Sequence, residues 1–234
     1  MPTVFITGAN RGLGLEFARQ FAVDGWRVLA TCRAPERAAD LARLAARQSE
    51  ITVHGLDVAD HRAIDALAHR LSDVSVDLLL SNAGISGDSG DSGDRGLGHL
   101  DYGEWTRTFQ INTMAAARLA ESFGDHLARS ERRLMVALTS LMGSMGDNSS
   151  GGSYLYRSSK AALNAVMKSL SIDLRPRGIG VLILHPGWVR TDMGGPDGLI
   201  TPQQSVAGMR AIIDRYTPAD SGRFLNYDGS ALPW

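Results

Sequence analysis

Seven short apolar runs rich in Val, Ile and Leu recur along this 234-residue chain, with longer helical patterns between them. The runs lie at residues 4–6, 26–30, 51–53, 76–80, 134–138, 181–184 and 223–225. The helical stretches lie near 12–24, 36–47, 60–71, 104–128, 155–174 and 202–215. The runs are apolar at successive rather than alternate positions, the pattern of strands covered on both faces. Strand–helix alternation of this kind predicts a parallel sheet joined by right-handed crossovers. The expected fold class is α/β: a doubly wound, seven-stranded parallel sheet with helices on both faces. No internal repeat or linker divides the chain, and 234 residues with 44% hydrophobic content suit one domain over 1–234.

Charge and composition narrow the function classes. Twenty-four Lys+Arg against 25 Asp+Glu give a net charge of −1, with no basic run to track a nucleic acid or an anionic membrane. No apolar run approaches the roughly 18 residues that span a bilayer. The single cysteine, Cys32, excludes an intramolecular disulfide and a multi-cysteine zinc site. The start, Met1-Pro2-Thr3, lacks the basic region of a signal peptide, so a cytoplasmic protein is expected. Two segments stand outside the alternation. Residues 86–94 repeat Gly, Asp and Ser and predict a flexible surface loop over about 86–98. Gly194-Gly195-Pro196-Asp197-Gly198 follows the sixth strand and reads as a hinge-rich part of a substrate lid over about 188–201.

The first strand enters Thr7-Gly8-Ala9-Asn10-Arg11-Gly12-Leu13-Gly14, where a helix starts. Glycines there permit a tight turn and let a pyrophosphate approach the N–H groups at the positive end of a helix. The same glycines, taken alone, also suit strand–helix packing. Their spacing is not G-x-G-x-x-G but T-G-x-x-x-G-x-G, and further motifs follow in order. Asn82-Ala83-Gly84 follows the fourth strand, Asn112 lies in the next helix, and Ser140 ends the fifth strand. Tyr156-Arg157-Ser158-Ser159-Lys160 reads Y-x-x-x-K, and His185-Pro186-Gly187 with Thr191 follows the sixth strand. Together these motifs, which span nearly the whole chain, resemble the short-chain dehydrogenase/reductase family, with its Rossmann fold. The resemblance is closest to its small carbonyl-reductase-like and C-factor-like members, through the stretches 186–193 and 224–229.

The resemblance implies hydride transfer between a nicotinamide dinucleotide and a small carbonyl compound or alcohol. It places the cofactor on Gly8, Asn10, Arg11, Gly12, Leu13, Gly14, Asn82, Ala83, Gly84, Pro186, Gly187, Val189 and Thr191, with Asp57 and Val58 near the adenine. As a bare residue before a helix, Asp57 also reads as an N-cap. The second strand ends Ala30-Thr31-Cys32-Arg33 with no acid for a ribose 2′-OH, so Arg33, with Arg11, points to NADP(H) rather than NAD(H). Glu36 is a competitor for the 2′ position, and Arg33 alone also reads as a solvated charge.

Tyr156 and Lys160 stand four apart, so one helix face presents both. An ammonium near the phenol is expected to bring Tyr156 closer to neutral pH for general acid–base work. By resemblance, Tyr156 exchanges a proton with the carbonyl oxygen and Ser140 hydrogen-bonds that oxygen. Lys160 holds the nicotinamide ribose, and Asn112 anchors a water leading to Lys160. A Tyr/Lys pair at this spacing is also common on plain helix surfaces. Ser140 stands 16 residues before Tyr156, which leaves Ser144 as a fallback. The resemblance also implies a homodimer or homotetramer, and it leaves open a nucleotide-sensing or signalling protein with little turnover. The Gly-Asp-Ser-Gly repeats within 87–93 lack the all-β framework of a serine protease, and Asp88, Asp91 and Asp94 lack EF-hand spacing. The Asn148 sequon carries no meaning without a secretory signal.

Overall fold

The structure, a computed structural model, describes residues 1–87 and 96–234. Most of the Gly/Asp/Ser segment, with Gly90, Gly93 and its aspartates, lies outside the described residues. The elements run β1 Thr3–Ile6, α1 Gly12–Val23, β2 Arg27–Cys32, α2 Ala39–Arg47, β3 Ile51–Gly55, α3 His61–Arg70 and β4 Leu78–Ser81. They continue with α4 Tyr102–Phe109, α5 Ala115–Ala128, β5 Leu134–Leu138, α6 Tyr154–Asp173, β6 Gly180–His185, α7 Pro202–Asp214 and β7 Phe224–Asn226.

All seven strands pair in parallel in the order β3-β2-β1-β4-β5-β6-β7. Successive side chains of a strand point to opposite faces, and each face here has its own core. Val4, Ile6, Leu78 and Val136 pack with Phe17 and Phe21 of α1, Leu41 of α2 and Met209 of α7. Phe5, Leu79 and Met135 pack with Ile64 of α3, Phe123 of α5 and Leu163 of α6, the Phe5 and Phe123 rings lying 4.5 Å apart. This is why the strands read as unbroken apolar runs. The chain leaves β1 toward β2 and β3, then returns to β4 on the other side of β1. That reversal opens a crevice at the carboxyl ends of β1 and β4, the usual ligand position in such sheets.

The structure refines two helix expectations. The expected helix at 104–128 starts at Tyr102, because Asp101 caps it by accepting from the N–H groups of Gly103 and Glu104 at 2.9 and 3.0 Å. It is also interrupted by a π-helical turn, Gln110–Met114, that separates α4 from α5. The stretch beginning at 36 is split by a 3-10 turn, Pro35–Arg37, ahead of α2. Among the described residues no helix is long and apolar enough to cross a membrane, and no three potential metal ligands cluster.

Candidate active site

The crevice begins at the glycine turn. Gly8 and Gly12 have φ of +67° and +55°, the region that favours glycine. A Cβ on Gly14 would overlap the carbonyl oxygen of Gly8 and come within 2.6 Å of Asn82 Nδ2, so backbone fills the place of a side chain. Asn82 explains that closeness: its amide donates to the carbonyls of Thr7 at 2.8 Å and Gly8 at 3.1 Å. Thr7 Oγ1 in turn accepts from the N–H groups of Asn82 and Ala83, both at 3.0 Å. The ends of β1 and β4 are thus stitched together beneath α1. No side-chain hydrogen bond caps α1 at Arg11, which leaves first-turn N–H groups facing outward at its positive end. The Arg11 guanidinium pairs with Asp192 at 2.7 Å across the crevice. Both side chains are exposed, so this link is worth only about 0.2–1 kcal/mol.

The crevice encloses about 640 Å³. Gly8, Asn10, Arg11, Gly12, Leu13, Gly14, Arg33, Asp57, Val58, Asn82, Ala83, Gly84, Tyr156, Lys160, Pro186 and Thr191 all border it. Gly187 and Val189 do not. A Cβ on Gly187 would reach Ile200 at 2.8 Å, and buried Val189 bridges to Ile200, so both build the wall from behind. The N-cap of α3 is Asp60 rather than Asp57, since Asp60 Oδ1 accepts from the N–H groups of Arg62 and Ala63. Asp57 accepts from Ala59 N–H and borders the crevice. Glu36 lies outside the lining, beside Arg37 at 4.0 Å. Several lining residues escaped the sequence reading, among them Cys32, whose buried thiol is pushed up by desolvation, Arg37 and Thr139. Arg37 stands four residues after Arg33, but Pro35 between them starts a 3-10 turn and breaks the helical spacing that would have linked the two.

At the other end, α6 lies against the end of β5. Lys160 is 4% exposed, and its Nζ donates to the Leu138 carbonyl at 2.9 Å. The ammonium sits 5.7 Å from the Tyr156 ring centre. Burial pulls Lys160 down to about 8. Tyr156 is half-buried; burial pushes its phenol above the ordinary value, against a smaller opposing effect from a hydrogen bond with Ser140. The expected lowering of Tyr156 by Lys160 is therefore not what this geometry gives, because the ammonium is aimed at a carbonyl and burial dominates. Ser144, the fallback, is turned away and donates to the Trp234 carbonyl at 3.2 Å. Asn112 lies in the π turn behind the crevice. Its Oδ1 accepts from Ile85 N–H at 2.9 Å, and its Nδ2 donates to the Ile85 carbonyl at 2.8 Å and to Ser159 Oγ at 3.0 Å. Single π turns of this sort commonly accompany functional positions. A Cβ on Gly84 would touch both Asn112 Oδ1 and Lys160 Nζ, at 3.2 and 3.5 Å, so these two groups flank that glycine.

The lysine gives a stability prediction. Its pKa lies at about 8 in the fold and higher once unfolded, so the unfolded chain binds more protons between those values and stability rises with pH there. Lys160→Met removes the buried ammonium. The variant's stability advantage at pH 7, measured by urea unfolding, shrinks as pH climbs toward 10. A constant difference across that range would count against a costly buried ammonium.

The segment expected to hinge is built otherwise. A Cβ on Gly194 would overlap the Val189 carbonyl, and one on Gly198 would come within 2.5 Å of Arg190 N. These glycines allow close packing, and only Gly195 among the three has a positive φ, +74°. Residues 188–201 are further fastened by hydrogen bonds from Arg190 N–H to the Ile200 carbonyl and from Ile200 N–H to the Trp188 carbonyl.

Comparison with known proteins agrees with this construction. Residues 2–198 match the family model described as short chain dehydrogenase. The C-signal protein of Myxococcus xanthus is 44% identical over 169 residues, covering 72% of this chain and 99% of its own. The 1-hydroxy-2-glutathionyl-2-methyl-3-butene dehydrogenase of Rhodococcus sp. (strain AD45) is 39% identical over 241 residues, with both chains fully covered. Among solved structures, the NADPH-bound carbonyl reductase from chicken fatty liver superposes with a TM-score of 0.91 at 32% identity, covering 100% of this chain and 99% of that one. By sequence and by architecture, the chain belongs to the short-chain dehydrogenase/reductase family of oxidoreductases.

Proposed function

We propose that this protein is an NADP(H)-dependent oxidoreductase that interconverts a carbonyl compound and an alcohol. The observation that carries the proposal is the joining of two halves in one crevice: a glycine cradle at a helix N-terminus, and half-buried Tyr156 with buried Lys160, Ser140 standing beside Tyr156 just off the lining. One relative is named a dehydrogenase and another a carbonyl reductase, the two directions of one such reaction.

The residues fit the cofactor. The backbone-filled space at Gly14 and the uncapped start of α1 suit a pyrophosphate, with Thr191 opposite Gly12. Asp57 and Val58 would border the adenine, and Asn82, Ala83 and Gly84 would line the path to the nicotinamide. Pro186 and Lys160 would hold the nicotinamide and its ribose, with Asn112 keeping the Ile85 backbone in place behind them. Arg33 and Arg37 would take the 2′-phosphate. When bound, NADPH supplies the hydride.

Tyr156, whose phenol burial keeps above its ordinary value, gives its proton to the carbonyl oxygen as the carbon is reduced. Ser140 shares that oxygen, and solvent returns a proton to the phenolate left behind. Alcohol oxidation runs the same transfers backwards. Exposed Met193 borders the crevice, which favours a substrate with an apolar portion.

The similarity to C-signal favours a second reading, in which the bound nucleotide serves signalling. A pure binder has no use for the Ser140/Tyr156/Lys160 arrangement, which favours catalysis. Titration with NADPH followed by a panel of carbonyl compounds separates the two: turnover supports the enzyme, binding without turnover supports the sensor, and no binding ends both. A charge-assisted hydrogen bond is worth about 1.5–3 kcal/mol. Arg33→Ala and Arg37→Ala are therefore each expected to weaken NADPH by about tenfold or more while leaving NADH within about twofold, by fluorescence titration. Equal weakening of both dinucleotides would remove the two arginines from 2′-phosphate recognition.

A further inference from the structure

Tyr156, Lys160 and Asn164 recur every four residues and so share one face of α6. Three consecutive residues at the end of β5 meet that face. The Leu138 carbonyl accepts from Lys160 Nζ at 2.9 Å, Thr139 Oγ1 donates to Asn164 Oδ1 at 2.6 Å, and Ser140 stands beside Tyr156. Asn164 and Thr139 are 3% and 2% exposed. The other end of the Asn164 amide, Nδ2, reaches the Gly143 carbonyl at 3.4 Å. Gly143 closes the 3-10 turn Leu141–Gly143, which Ser140 opens by accepting from Met142 N–H at 3.1 Å. A Cβ on Gly143 would come within 2.7 Å of the Lys160 backbone, so this turn rests directly on α6.

We propose that Asn164 is a positioning residue: it grips the chain on both sides of Ser140 and so sets the distance from Ser140 to Tyr156. The proposal rests on the oxidoreductase reading above. A buried amide costs free energy unless satisfied, and an apolar side chain would fill the same space without directing the strand end. Asn164 touches no reacting atom. Its effect runs through Ser140, whose hydroxyl must be held to within about half an ångström to serve the substrate oxygen.

The test is a cycle of Thr139→Val, Asn164→Leu and the double variant. Thr139→Val strands the Asn164 amide oxygen, and Asn164→Leu strands the Thr139 hydroxyl and takes the longer contact from the Gly143 carbonyl, so both lower Tm. The double removes both partners with little change of shape, and its Tm returns to within a few degrees of wild type. The proposal expects kcat to stay about tenfold or more below wild type in the double. It also expects backbone amides of 138–143 to exchange faster in hydrogen-exchange mass spectrometry. Recovery of kcat together with Tm would overturn it, as would unchanged exchange. Should Asn164→Leu fail to fold, the near-isosteric Thr139→Val carries the comparison, and a kcat within twofold of wild type there overturns the proposal. If wild type binds NADPH but reduces no carbonyl compound, the oxidoreductase reading falls. The exchange of 138–143 in the double then decides the positioning role alone: faster supports it, unchanged overturns it.

Discussion

Replacing Tyr156 with phenylalanine is expected to lower kcat for carbonyl reduction by about 10²- to 10⁴-fold, the usual worth of a positioned general acid. NADPH affinity should stay within about threefold. The substitution keeps the ring against which the Lys160 ammonium lies and removes only the hydroxyl. Lys160 itself is anchored to the Leu138 carbonyl rather than to the phenol, so its position does not depend on that hydroxyl. A fall in kcat and in kcat/KM by the same factor would mark an interaction made only in the transition state. The pH dependence should follow: burial holds Tyr156 protonated through neutral pH, so wild-type reduction weakens only on the alkaline side. A Tyr156→Phe variant that keeps kcat within tenfold of wild type would assign the proton to another donor, with the Ser140 hydroxyl the candidate beside it.

Much of this was legible in the sequence, for physical reasons that differ by element. Strands such as Leu78–Ser81 are buried on both faces, so their uniform apolarity announced a parallel sheet before any fold was seen. Tyr156 and Lys160 declared a shared helix face through their spacing alone. The π turn at Gln110–Met114 did not show, because a shift of backbone hydrogen bonding by one residue leaves the apolar pattern of 104–128 nearly intact. Arg37 was hidden behind Pro35, whose 3-10 turn swings it to the crevice beside Arg33 while Glu36 stays off the lining. Gly194 and Gly198 misled in the other direction. A run of glycines spells freedom only when nothing is near, and here the Val189–Arg190 backbone occupies the space beside both. Asn164 went unread because one asparagine in an apolar helix has no signature until the strand it meets is known.

The glycine cradle yields the other large effect. Gly14→Ala is expected to reduce NADPH affinity by about a hundredfold and to destabilise the protein by about 1–3 kcal/mol, the ordinary cost of overpacking. The added methyl would overlap the Gly8 carbonyl and press on Asn82 Nδ2 from 2.6 Å. Neither neighbour can retreat easily. Gly8 backs onto Ala83, where a Cβ of its own would already stand 3.0 Å from the Ala83 Cα, and Asn82 holds the carbonyls of both Thr7 and Gly8. Relief must come from moving the start of α1 away from β1, and that displaces the N–H groups proposed to receive the pyrophosphate. Stability and cofactor affinity should therefore fall together, and added NADPH should restore less of the lost Tm than it confers on wild type. Gly55→Ala is the matched control: a Cβ there meets only Pro35 at 3.7 Å, ordinary contact distance, so both quantities should stay near wild type. If Gly14→Ala instead bound NADPH within threefold and melted with wild type, the closeness of α1 to the β1 turn would not be what holds the cofactor.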